Sequence, residues 1–302
     1  MSYFGKSLSA LTTVTLVSAC LHAAQPAAKY DGQKAFEHVR AMVGFGPRPA
    51  GSAALGKTRE YIKTEISNLG LKVEEQAFDA GTPAGPIKMV NLRVMVGGPA
   101  NARRIIVAGH YDTKLFKNAR FVGANDGGSS AAFLIELARA LARAPLATPI
   151  ELLFLDGEEA VRPEWEDPDN RYGSRYYVNA ARKDGTLGTI QALILIDMIG
   201  DRDLRIKREA QSTAWLTDVI WGVAAGLGRS QFVNEETAVI DDHLIFLDAG
   251  VPAVDLIDFE YPAWHTPDDT LDKVSAASLQ VVGDVVLTGL RAVERRLSER
   301  GR

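Results

Sequence analysis

A chain of 302 residues, 46% of them hydrophobic, is long enough to close one sizeable α/β domain around a large core. Its formal charge of −4 excludes the concentrated basic footprint that nucleic acid requires. Basic residues run no longer than pairs such as Arg103-Arg104 and Arg295-Arg296, which also excludes a polybasic membrane patch.

The first residues differ in kind from the rest. Lys6 is the only charge before Lys29, and residues 8–19 form an apolar, small-residue run too short to span a bilayer. Residues 1–19 therefore read as a signal peptide, residues 20–30 as a linker and residues 31–302 as one domain. Leu16, Val17, Ser18, Ala19 and Cys20 are similar to a bacterial lipoprotein box, in which processing leaves Cys20 as a lipid-bearing N-terminus. The alternative is cleavage near Ala23 or Ala24, with an incidental cysteine. Either way the chain is exported, to a bacterial periplasm, and touches a membrane only through a lipid on Cys20. Cys20 is the single cysteine, so core and metal rather than disulfides must hold the domain.

Residues 33–43 space Phe36, Val39, Ala41 and Val43 as the apolar side of a helix, with His38 on its polar side. A turn through Pro47, Arg48 and Pro49 precedes a second helix at 55–69, with Tyr61, Ile62 and Ile66 inward and Gly70 as its stop. Residues 71–78 and 90–96 alternate in hydrophobicity and predict an antiparallel strand pair. Residues 105–108 are a continuous apolar run suited to a strand covered on both faces, 150–155 and 190–196 read as further buried strands, and 253–257 as another strand. Helices are predicted at 129–144, 172–183, 213–227, 243–249 and 275–297. The alternation predicts an α/β fold of three αβα layers, with a twisted, mostly parallel sheet between helices.

Candidate ligands sit where these runs end. Histidine nitrogen and carboxylate oxygen hold zinc well, and a catalytic site leaves one position open. His110 and Asp112 follow the strand ending at Ala108, at the carboxyl edge where open α/β sheets place ligands. Their spacing lets Asp112 accept the imidazole's second N–H. Asp126 opens a helix and would be a cap on its own, but the glycines around it allow a close approach to an ion. Glu158 and Glu159 point in different directions, so one can bind metal while the other moves protons. Asp197 is either a second-metal ligand or a neighbour of Glu158. Asp241, Asp242 and His243 precede a helix, where they serve a site or merely cap it. His265 is the late histidine placed to ligate, and Trp165 and Trp264 are either ordinary core aromatics or walls of an apolar pocket.

This constellation resembles the zinc-dependent M28 metallopeptidase superfamily, and within it the animal-type glutaminyl-peptide cyclotransferases. The stretches that carry it run through His110-Tyr111-Asp112-Thr113-Lys114, Gly123-Ala124-Asn125-Asp126, Asp156-Gly157-Glu158-Glu159, Asp241-Asp242-His243 and Trp264-His265-Thr266. The resemblance implies a six-stranded mixed sheet and one zinc held by Asp126, Glu159 and His265. It also implies Glu158 as acid/base, Asp197 and Asp241 as a carboxylate network around it, and Trp165 and Trp264 as the glutamine pocket. Asp112, Asp242 and His243 stand behind these groups. The sequence departs from the pattern at residues 127–130, which look closer to the aminopeptidase style. It departs again at Gly109, where the animal enzymes' disulfide cannot form.

Two chemistries follow. A cyclotransferase with one zinc would close the N-terminal glutamine of a peptide or protein to pyroglutamate and release ammonia. An aminopeptidase with two would use Asp126 as a bridge and His110 and Asp197 at the second ion. A silent peptide-binding lipoprotein is disfavoured by the intact set of ligands and acid/base.

Overall fold

The computed structural model describes residues 1, 29–99, 101–142 and 144–300. The expectations of a signal peptide and of lipidation at Cys20 fall on residues outside this set.

Two helices, α1 (Gly32–Gly44) and α2 (Ala53–Asn68), open the fold, capped by the side chains of Asp31 and Ser52. The hairpin of β1 (Val73–Thr82) and β2 (Gly85–Val96) follows, in antiparallel register from Val73 opposite Val94 to Thr82 opposite Gly85. The chain then alternates: β3 (Arg104–His110), α3 (Gly128–Leu141), β4 (Ile150–Leu155), α4 (Tyr172–Lys183) and β5 (Ile190–Asp197). It continues through β6 (Ile206–Glu209), α5 (Ala214–Gly226), β7 (Phe232–Thr237), α6 (His243–Asp248), β8 (Ala253–Ile257) and α7 (Ala276–Arg300).

The main sheet has the order β1-β2-β4-β3-β5-β8. β1, β2 and β4 pair antiparallel, whereas β4, β3, β5 and β8 run parallel, so the sheet is mixed as the resemblance implied. Period-two alternation divides the core. Ile105, Val107, Ile194 and Val254 face a layer supplied by α1, α2, α3, α5 and α7. Ile106, Ala108, Leu193 and Leu195 face Tyr177, Val178 and Ala181 of α4 and Phe246 of α6. Each Val, Leu, Ile or Phe among them contributes about 1.5–3 kcal/mol by leaving water. α7 is long and apolar enough to cross a membrane, but its Val282, Val285, Val286 and Val293 are fully buried in this core.

Two expectations needed correction. The small parallel pair β6–β7 was not anticipated, because its polar residues do not alternate cleanly. His38 is not on a polar face: it is partly buried and its Nδ1 lies 2.7 Å from the Tyr61 hydroxyl.

Candidate active site

Chain direction sets the site. His110 ends β3, Glu158 and Glu159 follow β4, and Asp197 ends β5, so three neighbouring parallel strands deliver them to one edge. Loops bring the rest. Asp126 precedes α3, and the N-cap of that helix is Gly127 with no side-chain cap bond, so Asp126 is free of the capping role. Gly127 has φ +75°, and a Cβ there would meet the Asp112 carbonyl oxygen at 2.2 Å, so only glycine fits. His265, in the loop after β8, has φ +52°, a strained conformation in a residue aimed at the site.

These residues converge. His265 Nε2 lies 3.1 Å from Glu159 Oε1 and 3.5 Å from Asp126 Oδ2. Donor atoms of Asp126, Glu159 and His265 all fall within 4.8 Å of one another, as do those of His110, Asp126 and Asp197. Asp126 Oδ2, Glu159 Oε2 and His110 Nδ1 are buried without a hydrogen-bond partner. Asp126 Oδ2, unpartnered 3.5 Å from His265 Nε2, and the mixed nitrogen and oxygen donors gathered there fit a small divalent cation.

Asp112 does more than the sequence suggested. Its Oδ1 stands 3.4 Å from His110 Nδ1, too long for a strong bond. Its carboxylate instead accepts the amide N–H groups of Glu158 and Glu159 at 3.2 and 3.3 Å, and so orients the acidic pair. Asp242 accepts the Ser174 hydroxyl, and His243 turns away from the Asp126 side toward Glu209 at 3.0 Å and Asp255 at 3.4 Å.

Electrostatics single out Glu158. Burial pushes its pKa well above the usual carboxylate range, and Glu159, Asp241 and Asp242 push the same way against His110. Burial, Asp197 and Asp242 likewise raise Asp241, while burial holds Asp242 up at about 6. His110 is lowered by burial, but Asp197, Glu158, Asp112 and Asp126 outweigh this and leave it well above its ordinary value. For Asp126 burial is outweighed by His110, His265 and Arg48, so it stays ionised at lower pH.

A cavity of about 270 Å³ opens onto these groups, lined by Asp126, Glu158, Glu159, Asp197, Asp241 and His265. Trp165 and Trp264 are both in its wall. Trp264 is 39% exposed and stacks on the His265 ring at 4.5 Å. Met198, Val239, Ile240, Ile257 and Phe259 complete the wall, and sequence reasoning missed them. Isolated apolar residues in loops, such as Ile240 and Phe259, carry no periodic signal, and nothing in the sequence shows that Ile257, which ends β8, faces a cavity. Asp269 was missed too: its carboxylate accepts the amides of Asn125 and Asp126 at 2.8 and 3.0 Å, tying the His265 loop to the Asp126 loop. Arg48, fully buried, donates to the carbonyls of Val122 and Gly123 and fixes the approach to Asp126.

Fold and site together define an α/β enzyme with an acid-rich centre at the carboxyl ends of its parallel strands. Residues 91–290 match the family model of peptidase family M28, and the chain belongs to that family. A mouse glutaminyl-peptide cyclotransferase-like protein is 32% identical over 74% of this chain, which spans 66% of that relative's length. Among solved structures, a glutaminyl cyclase from an Acidobacteriales bacterium is 41% identical with a TM-score of 0.84, covering 91% of this chain and 98% of that one. A leucine aminopeptidase precursor from Bacteroides thetaiotaomicron is 26% identical with a TM-score of 0.79, over 86% of this chain and 96% of its own.

Proposed function

We propose that this chain is a zinc-dependent glutaminyl-peptide cyclotransferase, converting the N-terminal glutamine of peptides or proteins to pyroglutamate with release of ammonia. The observation that carries the reading is one aromatic-walled cavity in which Asp126, Glu159 and His265 meet beside a buried Glu158. Likeness to proteins named as glutaminyl cyclases supports it.

Asp126, Glu159 and His265 would hold one zinc ion, which when bound polarises the γ-carbonyl as a Lewis acid. Trp165, Phe259 and Trp264 enclose the glutamine side chain and exclude competing water. In that enclosure the α-amine meets the γ-carbon of its own residue, so orientation replaces a second reactant. Glu158 takes a proton from the α-amine as the new N–C bond forms. It returns that proton to the side-chain nitrogen as the old C–N bond breaks and ammonia leaves. Burial, with Glu159, Asp241 and Asp242 crowding it, keeps Glu158 a stronger base than an exposed carboxylate.

The second reading, a di-zinc aminopeptidase, is favoured by the grouping of His110, Asp126 and Asp197. A coupled ammonia assay on a Gln-initiated dipeptide, run beside an amino-acid anilide assay, decides between them. Ammonia release with about one zinc per chain supports the cyclotransferase. Anilide cleavage without ammonia, with about two zinc ions, overturns it. Residues 1–19 and Cys20 support export to a periplasm with lipid attachment. Lipid labelling that survives Cys20→Ser rules the anchor out.

A further inference from the structure

One charged side chain beside the cavity has no part in the reaction described above. Lys114 is 2% exposed and its ammonium makes no hydrogen bond. Burying a cation this way is costly unless an opposite charge compensates it. Two groups face it: Glu159 Oε2 at 3.9 Å and the Trp165 ring, whose centre is 5.7 Å away. Glu159 Oε2 is itself buried without a hydrogen-bond partner, whereas Oε1 stands 3.1 Å from His265 Nε2. The two oxygens of one carboxylate are thus divided between a buried ammonium and the cluster with His265 and Asp126.

We propose that Lys114 is a positioning residue that restrains Glu159 Oε2, so that Glu159 offers the zinc Oε1 alone and a coordination place stays open for the substrate carbonyl. The inference rests on the zinc site proposed at Asp126, Glu159 and His265. A carboxylate giving both oxygens would donate more charge to the ion and weaken it as a Lewis acid. The Trp165 face holds the ammonium in place through its negative quadrupole. Losing Lys114 therefore frees the second oxygen rather than loosening the metal.

The test compares the full-length protein with Lys114→Met and Lys114→Arg, each loaded with zinc or cobalt(II). The Met variant should keep wild-type or tighter zinc affinity in chelator competition. Its kcat should fall about 10- to 100-fold with KM little changed. Its cobalt form should absorb more weakly in the visible, as an added donor takes the ion away from four-coordination. The Arg variant should recover most of the kcat. An unchanged cobalt spectrum in the Met variant overturns the assignment, as does zinc affinity falling in step with kcat. Should thermal melts show Lys114→Met unfolded, Lys114→Gln is read by the same measurements. The cobalt spectrum needs no substrate, so it stands or falls separately from ammonia release by the wild-type enzyme.

Discussion

Strand β4 carries one buried glutamate near its start and leads into another just past its end, and their surroundings are opposite. Glu151 receives Arg93 Nε at 2.6 Å, the Arg104 guanidinium and the Tyr177 hydroxyl at 2.8 Å. Its charge is compensated and its oxygens are occupied. Glu158 is buried too, but the acids Glu159, Asp241 and Asp242 surround it, and the His110 imidazole stands 3.7 Å away. A paired buried charge locks geometry, whereas burial and crowding raise an acid's proton affinity until it can both accept a proton and return it. The difference between these two clusters separates what supports the fold from what performs chemistry.

The largest expected effect breaks the second cluster. Glu158→Gln should lower kcat by about 10²- to 10⁴-fold while zinc content stays at the wild-type level. Normal turnover in that variant would remove Glu158 from the proton path. Breaking the first cluster should act on stability instead. Glu151→Ala strands Arg104 in the core and should cost about 3–5 kcal/mol in denaturant unfolding. Glu158→Gln should cost nothing in the same measurement or even stabilise, because it relieves acid crowding. Equal losses in the two variants would erase the distinction.

A smaller effect concerns a histidine far from either cluster. Burial holds His38 down to about 4, with Glu37 opposing and Lys34 assisting. An unfolded imidazole takes up its proton near about 6.5, so between these values the unfolded state binds more protons. Its contribution is therefore full above about pH 6.5 and is lost as pH falls toward 4, on the order of 2 kcal/mol after allowing for partial exposure. His38→Gln should flatten that part of the stability profile, and an unaltered acid limb would show that other groups cause it. The smallest effect lies at the cavity mouth. Trp264→Ala should raise KM about 2- to 10-fold with kcat largely kept, the value of one aromatic contact. A selective fall in kcat would instead mean that its stacking on His265 matters to the reaction.

Much of the site was legible because strands end abruptly. Runs such as residues 152–155 and 192–196 are apolar throughout, so a following Glu158 or Asp197 stands out as a group that burial alone would disfavour. Asp126 was harder to read, since an acid before a helix is ordinarily a cap, and only the glycine at the N-cap position frees it. His243 was placed behind the site by resemblance. Its partners Glu209 and Asp255 come from β6 and β8, one an unanticipated strand and the other a buried core run.

Local pattern alone determined the layers, the direction of the inner strands and the residue types gathered at their ends, since periodicity and burial are properties of short segments. Only tertiary structure decided the partners. Whether Glu159 faces His265 or Lys114, whether Asp112 serves His110 or the amides beyond β4, and which apolar loop residues wall the cavity depend on distances between segments remote in sequence. A carboxylate's neighbours fix its charge and its use, and no short segment contains them.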